Sequence, residues 1–466
     1  MTTPAILLPP APGPTVGQRP VERRPAPGLP PGAMPPGIAG LRMPPAYARW
    51  AVALAVWLCV SKFHGYLPIL ITIKAPLLTS MFGLFCVFAC ARDWRPGDLT
   101  RHWIPRALLV IVIAALGGIP TGIYPGNSLT FFLNGLLRTL LLAIAVFAIA
   151  RTPAGAAFMA RTVAVSCLTA AALALILGRQ DNAGRLMGAF AYDPNDLALI
   201  GTVGIPLVVW WWIDKRNRFR TPVLLIGLPL LLNVIFESDS RGGFLAMIGV
   251  VLGFIFLGLG KMDRRVKKAG LIVGLGIVAA APFFPARFYD RLASINDEND
   301  YNRVSPRGRT QVWKRGIGYA LEYPIFGVGI ANFNSAEGRL SAIGRERAER
   351  KQGWKWSAAH SSYVQALAEM GFTGGPAFIL LVVGSTAGLI TLHRHRRTSD
   401  PLPPFLALAL LAFAIAGAFL SWAYYDLPYV LFALACATLM MYRSPPRAIR
   451  RQHARLPSDG ISTTVR

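Results

Sequence analysis

The sequence predicts an all-α, polytopic integral membrane protein with about twelve transmembrane helices and one large outer loop. Three observations predict this class. Hydrophobic residues make up 54% of the 466 residues, and mean hydropathy is +0.46. Only 15% of residues are charged, against about 25% in an ordinary soluble domain. The apolar residues fall in roughly a dozen continuous runs, each of a length that can cross a bilayer. Continuous rather than alternating runs exclude a β-barrel, and their frequency excludes a soluble globular protein. The formal charge of +26 first suggests a nucleic-acid partner, but the placement of the charges removes that reading.

The chain opens with a proline-rich stretch, residues 1–48. Fourteen of the 37 prolines lie before residue 46, which predicts a disordered, extended tail. No cleavable signal peptide is expected. Nine hydrophobic segments follow in residues 49–286, near 49–62, 67–90, 104–119, 128–150, 155–178, 195–213, 221–236, 242–260 and 269–286. Lys74 and Pro76 interrupt the second, which predicts a broken helix covered by protein or lining a wet cavity. A polar segment, 287–359, separates these from three more at 360–392, 402–420 and 424–442. A basic tail, 443–466, ends the chain. The five cysteines all lie in apolar runs and read as small buried residues rather than as disulfides or zinc ligands.

Lysine and arginine set the orientation. With the N-terminus inside, the inner connections and tails hold 29 of the 48 basic residues and the short outer connections hold 4. Both termini are therefore expected in the cytoplasm, and the positive charge is a topology signal with anionic membrane lipids as its partner. No nucleic acid is needed to explain it.

The loop 287–359 carries order signals. Ser305-Pro306 reads as an N-cap followed by proline at the first helical position. Val312, Trp313, Ile317, Ala320 and Leu321 recur at helical spacing, predicting an amphipathic helix near 307–322. Tyr323-Pro324-Ile325-Phe326-Gly327-Val328-Gly329 ends it. The glycines there lack the third glycine of a dinucleotide loop and read as a turn.

Chemistry-bearing groups cluster at the outer ends of spans. Arg241, in Ser238-Asp239-Ser240-Arg241-Gly242-Gly243, opens the eighth span. There, free N–H groups, the positive end of the helix dipole, two permissive glycines and a guanidinium make a diphosphate site. Its competing role is pairing with Asp239 or Glu237. Asp193-Pro194-Asn195-Asp196 opens the sixth span with Asp193 as cap, leaving Asn195 and Asp196 less easily explained. Arg179 and Arg185 lie just upstream, against the charge trend. Lys74 and Arg138 fall inside spans, where a charge is a functional candidate by default. Glu369, nine residues into the tenth span, offers a structural ion pair in competition. His360 stands where the long loop enters the tenth span. A neutral imidazole there can take a proton from a sugar hydroxyl; a capping or interfacial role competes. His102 reads as solvated and His64 as interfacial. No phosphate-binding loop, zinc-protease motif or convincing acidic pair for a metal is present, so neither metal nor cofactor is expected.

Four motifs in order then point to a family. They are the Pro194-Asn195 element, Ser240-Arg241-Gly242-Gly243, the loop with Arg309-x-x-x-Trp313 and Tyr323–Phe333, and His360-Ser361-Ser362-Tyr363 leading to Glu369-Met370-Gly371. Together they resemble the bacterial O-antigen ligase and O-antigen polymerase superfamily over roughly residues 180–390. The resemblance implies a metal-independent inner-membrane glycosyltransferase. Such an enzyme takes a glycan from undecaprenyl diphosphate at the periplasmic face and passes it to lipid A–core or another glycan. It puts His360 at the acceptor and Arg241 at the diphosphate, with Arg185 and Arg309 as weaker carry-overs and Asn195, Asp239, Arg138 and Lys74 in support. Many members have His-Asn where this chain has His360-Ser361. Ligase is the leading reading. A polysaccharide polymerase, a protein O-oligosaccharyltransferase and a transporter or flippase with a basic cavity remain beside it.

Overall fold

The structure is a computed structural model that describes residues 42–90, 102–188, 190–214, 218–258, 264–280, 308–352, 357–395 and 400–442, with Tyr289 and Ser305. The expected tails, except residues 42–48, and the first part of the long loop lie outside the described residues, as does Pro306.

The chain is an all-α, multi-pass membrane protein. Each of the twelve hydrophobic segments contains helix. They are α1 (Ala46–Ser61), the pair α2 (Pro68–Thr72) and α3 (Ala75–Cys90), α4 (Trp103–Thr121), α5 (Pro125–Ile149), α6 (Pro153–Leu177), α7 (Pro194–Ile213), α8 (Arg220–Glu237), α9 (Arg241–Gly258) and α10 (Arg264–Ala280). In the loop lie α11 (Arg309–Glu322), α12 (Phe333–Arg339) and α13 (Ala342–Glu349), and α14 (Ser362–Arg394), α15 (Leu402–Ala416) and α16 (Asp426–Met441) close the bundle. Among the described residues, seven helices are long and apolar enough to span a bilayer, and four apolar ones are shorter. A two-stranded hairpin, β1 (Arg179–Gln180) with β2 (Leu186–Met187), links α6 to α7.

The expected break in the second segment is present. Helix stops at Thr72 and resumes at Ala75, with Lys74 at a φ of 50°. Lys74 is exposed there and does not enter the bundle interior. The N-cap expected at Ser305 is corrected. Helix α11 starts at Arg309 with Gly308 before it and no side-chain cap.

Helix α7 is the central element, buried along nearly its whole length. It packs against α6, α8, α9 and α15. Small residues permit these crossings, as bilayer helices require when lipid supplies no hydrophobic drive. A Cβ on Gly201 would meet Ile235, one on Gly204 would meet Cys167 and Leu231, and one on Gly243 would collide with Ala198. The outward faces carry exposed apolar side chains, among them Ile176, Leu225, Ile226 and Phe256.

The loop is fastened to α14. That helix is kinked at Gly371, whose φ of 59° and ψ of −161° are not helical. A kink leaves carbonyls and N–H groups without intrahelical partners, and buried backbone groups must find others. The turn after α11 supplies them. Val328 N–H donates to Ala368 O at 2.9 Å, while Phe372 and Thr373 N–H donate to Pro324 O and Ile325 O at 2.7 and 3.2 Å. Glu369 Oε1 accepts the Phe333 N–H at 2.8 Å. From the other side, Ile123 N–H donates to Val328 O, Ser128 Oγ donates to Ile330 O, and Asn127 donates to Ala331 O and Asn332. The glycines of this turn are a structural need. Gly327 has a φ of 69°, and a Cβ there would run into the Ala368 carbonyl. Within the loop, Arg315 meets Glu337 with two contacts of 2.7 Å and Tyr319 O–H donates to the same carboxylate, joining α11 to α12.

Gly327→Ala is expected to loosen this clasp, since it adds both a steric clash and left-handed strain of about 1–3 kcal/mol. It should lower the thermal midpoint and expose residues 323–333 to protease, whereas Gly318→Ala, with open space at its Cβ, should do neither. Equal protease resistance in the two variants would refute the clasp.

Candidate functional site

Four helix starts distant in sequence meet on one side of the bundle. Asp193 caps α7 by accepting the Asp196 N–H at 2.9 Å, and Asp196 Oδ2 accepts the Asp193 N–H at 3.0 Å. This reciprocal capping box accounts for Asp196, which also accepts Trp422 Nε1–H at 2.6 Å. Asn195 ties this start to the next, accepting a hydrogen bond from Ser240 Oγ at 2.9 Å. Ser240 Oγ in turn accepts the Gly243 N–H at 3.1 Å, so it caps α9, which begins at Arg241. Asp239 precedes it, buried and at a φ of 47°.

Phe419 bridges to the loop. A Cβ on Gly242 would touch its ring at 3.0–3.2 Å, and the Trp313 ring lies 6.2 Å from it on the other side. Trp313 Nε1–H donates to Ala359 O at 3.0 Å, the residue before His360. Helix α11 therefore brings Arg309, its first residue, and Trp313, one turn on, to the His360 segment. Gly316 permits this approach, because Val364 and Phe333 occupy the space of its missing side chain.

His360 is outside the membrane helix. Helix α14 begins at Ser362, with Ser361 as cap accepting the Val364 N–H at 3.4 Å. His360 has a φ of 47°, and its N–H donates to Ser421 Oγ at 2.8 Å. Ser362 Oγ donates to Leu420 O at 2.7 Å and accepts the Trp422 N–H at 3.0 Å. The histidine is held between the loop exit and the 420–422 link in a conformation few side chains adopt. Burial pushes its pKa below the ordinary 6.5, the positive charge of Arg309 pushes it further, and Asp193 pulls the other way. A neutral imidazole follows at neutral pH.

The remaining residues singled out from sequence have other places. Arg185 is engaged within the hairpin. Its Nε–H donates to Asp181 Oδ2 at 2.8 Å, while Asp181 Oδ1 accepts the Ala183 and Arg185 N–H groups at 2.9 Å each. Burial alone would raise the Asp181 pKa, but these donors outweigh it and hold it below the usual range. Arg138 lies two residues after a π-helical stretch, Phe132–Leu136, in α5. The ion pair weighed for it in the bundle exists, but the partner is Asp426, not Glu369. Arg138 meets the two Asp426 oxygens at 2.9 and 2.8 Å, Thr139 Oγ1 donates to Oδ1 at 2.7 Å, and Lys62 Nζ is 3.4 Å from Oδ2. Lys74 joins none of these groups. His102, expected to be solvated, is buried and caps α4 through its ring nitrogen.

Lys62, Asp426, Ser421 and Trp422 were not visible as site neighbours in the sequence. The one available signal was the acidic residue at the head of the last span, since an intramembrane arginine needs an anion.

Residues 226–379 match the family model described as O-antigen ligase. No curated protein matches the chain. The matched segment includes Arg241, Arg309, Trp313 and His360 and runs through the kink of α14.

Histidine titration tests the electrostatics. In protein labelled with ¹⁵N-histidine and assigned against His360→Gln, His360 should titrate below 6.5. Arg309→Gln removes a like charge that disfavours the imidazolium, so the pKa should rise. Asp193→Asn keeps a capping oxygen but removes an opposite charge, so it should fall. Shifts of reversed sign would mean that these groups do not act on His360.

Proposed function

We propose, on the premise that the chain belongs to the O-antigen ligase superfamily, that it is an inner-membrane glycosyltransferase of the ligase type. It moves a glycan from undecaprenyl diphosphate to lipid A–core or a related acceptor at the periplasmic face, with both termini in the cytoplasm and anionic lipids around it. The observation that carries this reading is the convergence of two arginine-led helix starts on a half-buried, neutral histidine at one end of the bundle.

The chemistry divides between the two sides of that cluster. On the acceptor side, the imidazole of His360 takes the proton from a sugar hydroxyl as its oxygen bonds to the anomeric carbon of the donor. On the donor side, the bond from that carbon to the diphosphate oxygen breaks and the electron pair leaves with the diphosphate. Arg241 and Arg309 then stabilise the growing negative charge together with the N–H groups at the starts of α9 and α11. Asn195 and Asp239 position the α9 start. Arg185 shapes the hairpin, Arg138 holds the bundle, and Lys74 stands apart. The energy is already in the diphosphate linkage, so this reading needs no nucleotide, metal or cofactor.

Two experiments test it. Deletion of the gene, followed by gel analysis of lipopolysaccharide and secreted polysaccharide, should leave full-length lipid-linked glycan unattached. Accumulation of single repeat units would instead identify a polymerase. In purified protein, His360→Ala should still bind lipid-linked donor but lose transfer by about 10²–10⁴-fold. Arg241→Ala should lose donor binding, and Arg241→Lys should not fully restore it, because a point charge lacks the bidentate fork. Donor binding lost equally in His360→Ala and Arg241→Ala would refute the division of roles, as would near-normal transfer by His360→Ala.

A further inference from the structure

A cavity of about 420 Å³ adjoins the His360 segment. Ala358, Ala359 and Ser421 form part of its wall, whereas Arg241, Arg309 and Trp313 do not line it. Its volume lies within the ~300–1,000 Å³ of small-molecule sites. Arg138 and Lys62 reach it, but both are engaged by Asp426. Asp426 offsets one of these two positive charges, and its carboxylate holds both side chains.

Beside this ion cluster the cavity carries hydroxyl-binding groups and a half-exposed aromatic ring, Phe190, with the His64 ring edge-on to it at 5.9 Å. Glu369 is buried at 2% exposure and lines the cavity. Its Oε1 accepts the Phe333 N–H at 2.8 Å, and the Ala331 N–H, the Gln365 amide and the Tyr424 hydroxyl lie beside the carboxylate, with Oε2 lacking a partner of normal geometry among the described residues. A buried oxygen left without a donor is costly, and a ligand hydroxyl would supply one. Gln365 and Asn334 present side-chain amides to the same space. The Tyr425 ring is already covered by Trp422, stacked at 4.4 Å, and by Lys62. Phe190 differs. It lines the cavity, packs against the Gly65 backbone, and stays 48% exposed.

We infer that this cavity is a sugar subsite that seats one pyranose ring of a glycan substrate. The ring's C–H face lies on Phe190, and its hydroxyls donate to Glu369 and exchange hydrogen bonds with Gln365 and Tyr424. The assignment rests on the glycosyltransferase reading. The ring belongs either to the acceptor or to the donor sugar nearest the diphosphate; the chemistry of recognition is the same.

Saturation-transfer NMR on the purified full-length protein in detergent tests the subsite without requiring transfer. The probes are the methyl glycosides of glucose, galactose, rhamnose and N-acetylglucosamine. At least one should bind saturably. Phe190→Ala, at an exposed ring, should weaken it about tenfold, as loss of a central aromatic contact does, and Phe190→Trp should retain it. Glu369→Gln should also weaken it. No saturable binding by any probe, or binding unchanged in Phe190→Ala, would overturn the subsite. Steady-state transfer then separates the sources. A raised KM for acceptor in Phe190→Ala assigns the ring to the acceptor, and a raised KM for donor assigns it to the donor. A lowered kcat with both KM values unchanged would overturn the inference. Sugar binding in a protein that performs no transfer would refute the glycosyltransferase reading and leave the subsite standing.

Discussion

The break in α14 at Gly371 is the constraint on which the rest of the arrangement depends. A helix interrupted within a bilayer-spanning segment exposes backbone groups that water cannot reach, and those groups must be satisfied by protein. Here a turn of the long loop satisfies them, with Val328, Pro324 and Ile325 meeting the freed groups of Ala368, Phe372 and Thr373. The same turn is held from the opposite side by the start of α5. A loop fixed at its middle by main-chain bonds has little freedom at its two ends. One end carries Arg309 and the other carries His360, so the relative position of the two is set by backbone pairing rather than by side-chain contacts alone.

The charges divide into two kinds by the same logic. Arg138 and Lys62 share the Asp426 carboxylate inside the bundle, where breaking such a set costs far more than the set contributes. Arg315 and Glu337 do the equivalent work within the loop. Arg241 and Arg309 begin helices, where the dipole already favours an anion. A guanidinium in that position adds to an existing preference.

Much of this was legible in the sequence because hydropathy and main-chain capping are local. Each run of apolar residues contains helix, Lys74 and Pro76 marked the break between α2 and α3, and Asp193-Pro194 marked a helix start. Partner choice was less legible, because it depends on packing. Arg138 lies 288 positions from Asp426, and nothing near either residue names the other. The capping of α11 also went differently, because Ser305 lies too far upstream of Arg309 to serve. Asp196 looked unexplained only because the sequence could not show its reciprocal bond to the Asp193 N–H or the indole of Trp422.

The clasp around residues 323–333 also bears on how the protein is made. Its partners at Ile123–Ser128 are synthesised well before it, but Ala368, Phe372 and Thr373 come after it in the chain. Even the small apolar cluster inside the loop, built on Val312, Tyr319, Val328 and Phe333, includes Ala368 from the following helix. During synthesis the loop thus emerges before the element that completes it. It must wait, with apolar side chains uncovered, until α14 enters the membrane. Contacts so far apart in the chain close late, and segments that wait in this way are the usual clients of chaperones and proteases. Maturation of the loop is thereby tied to the arrival of α14.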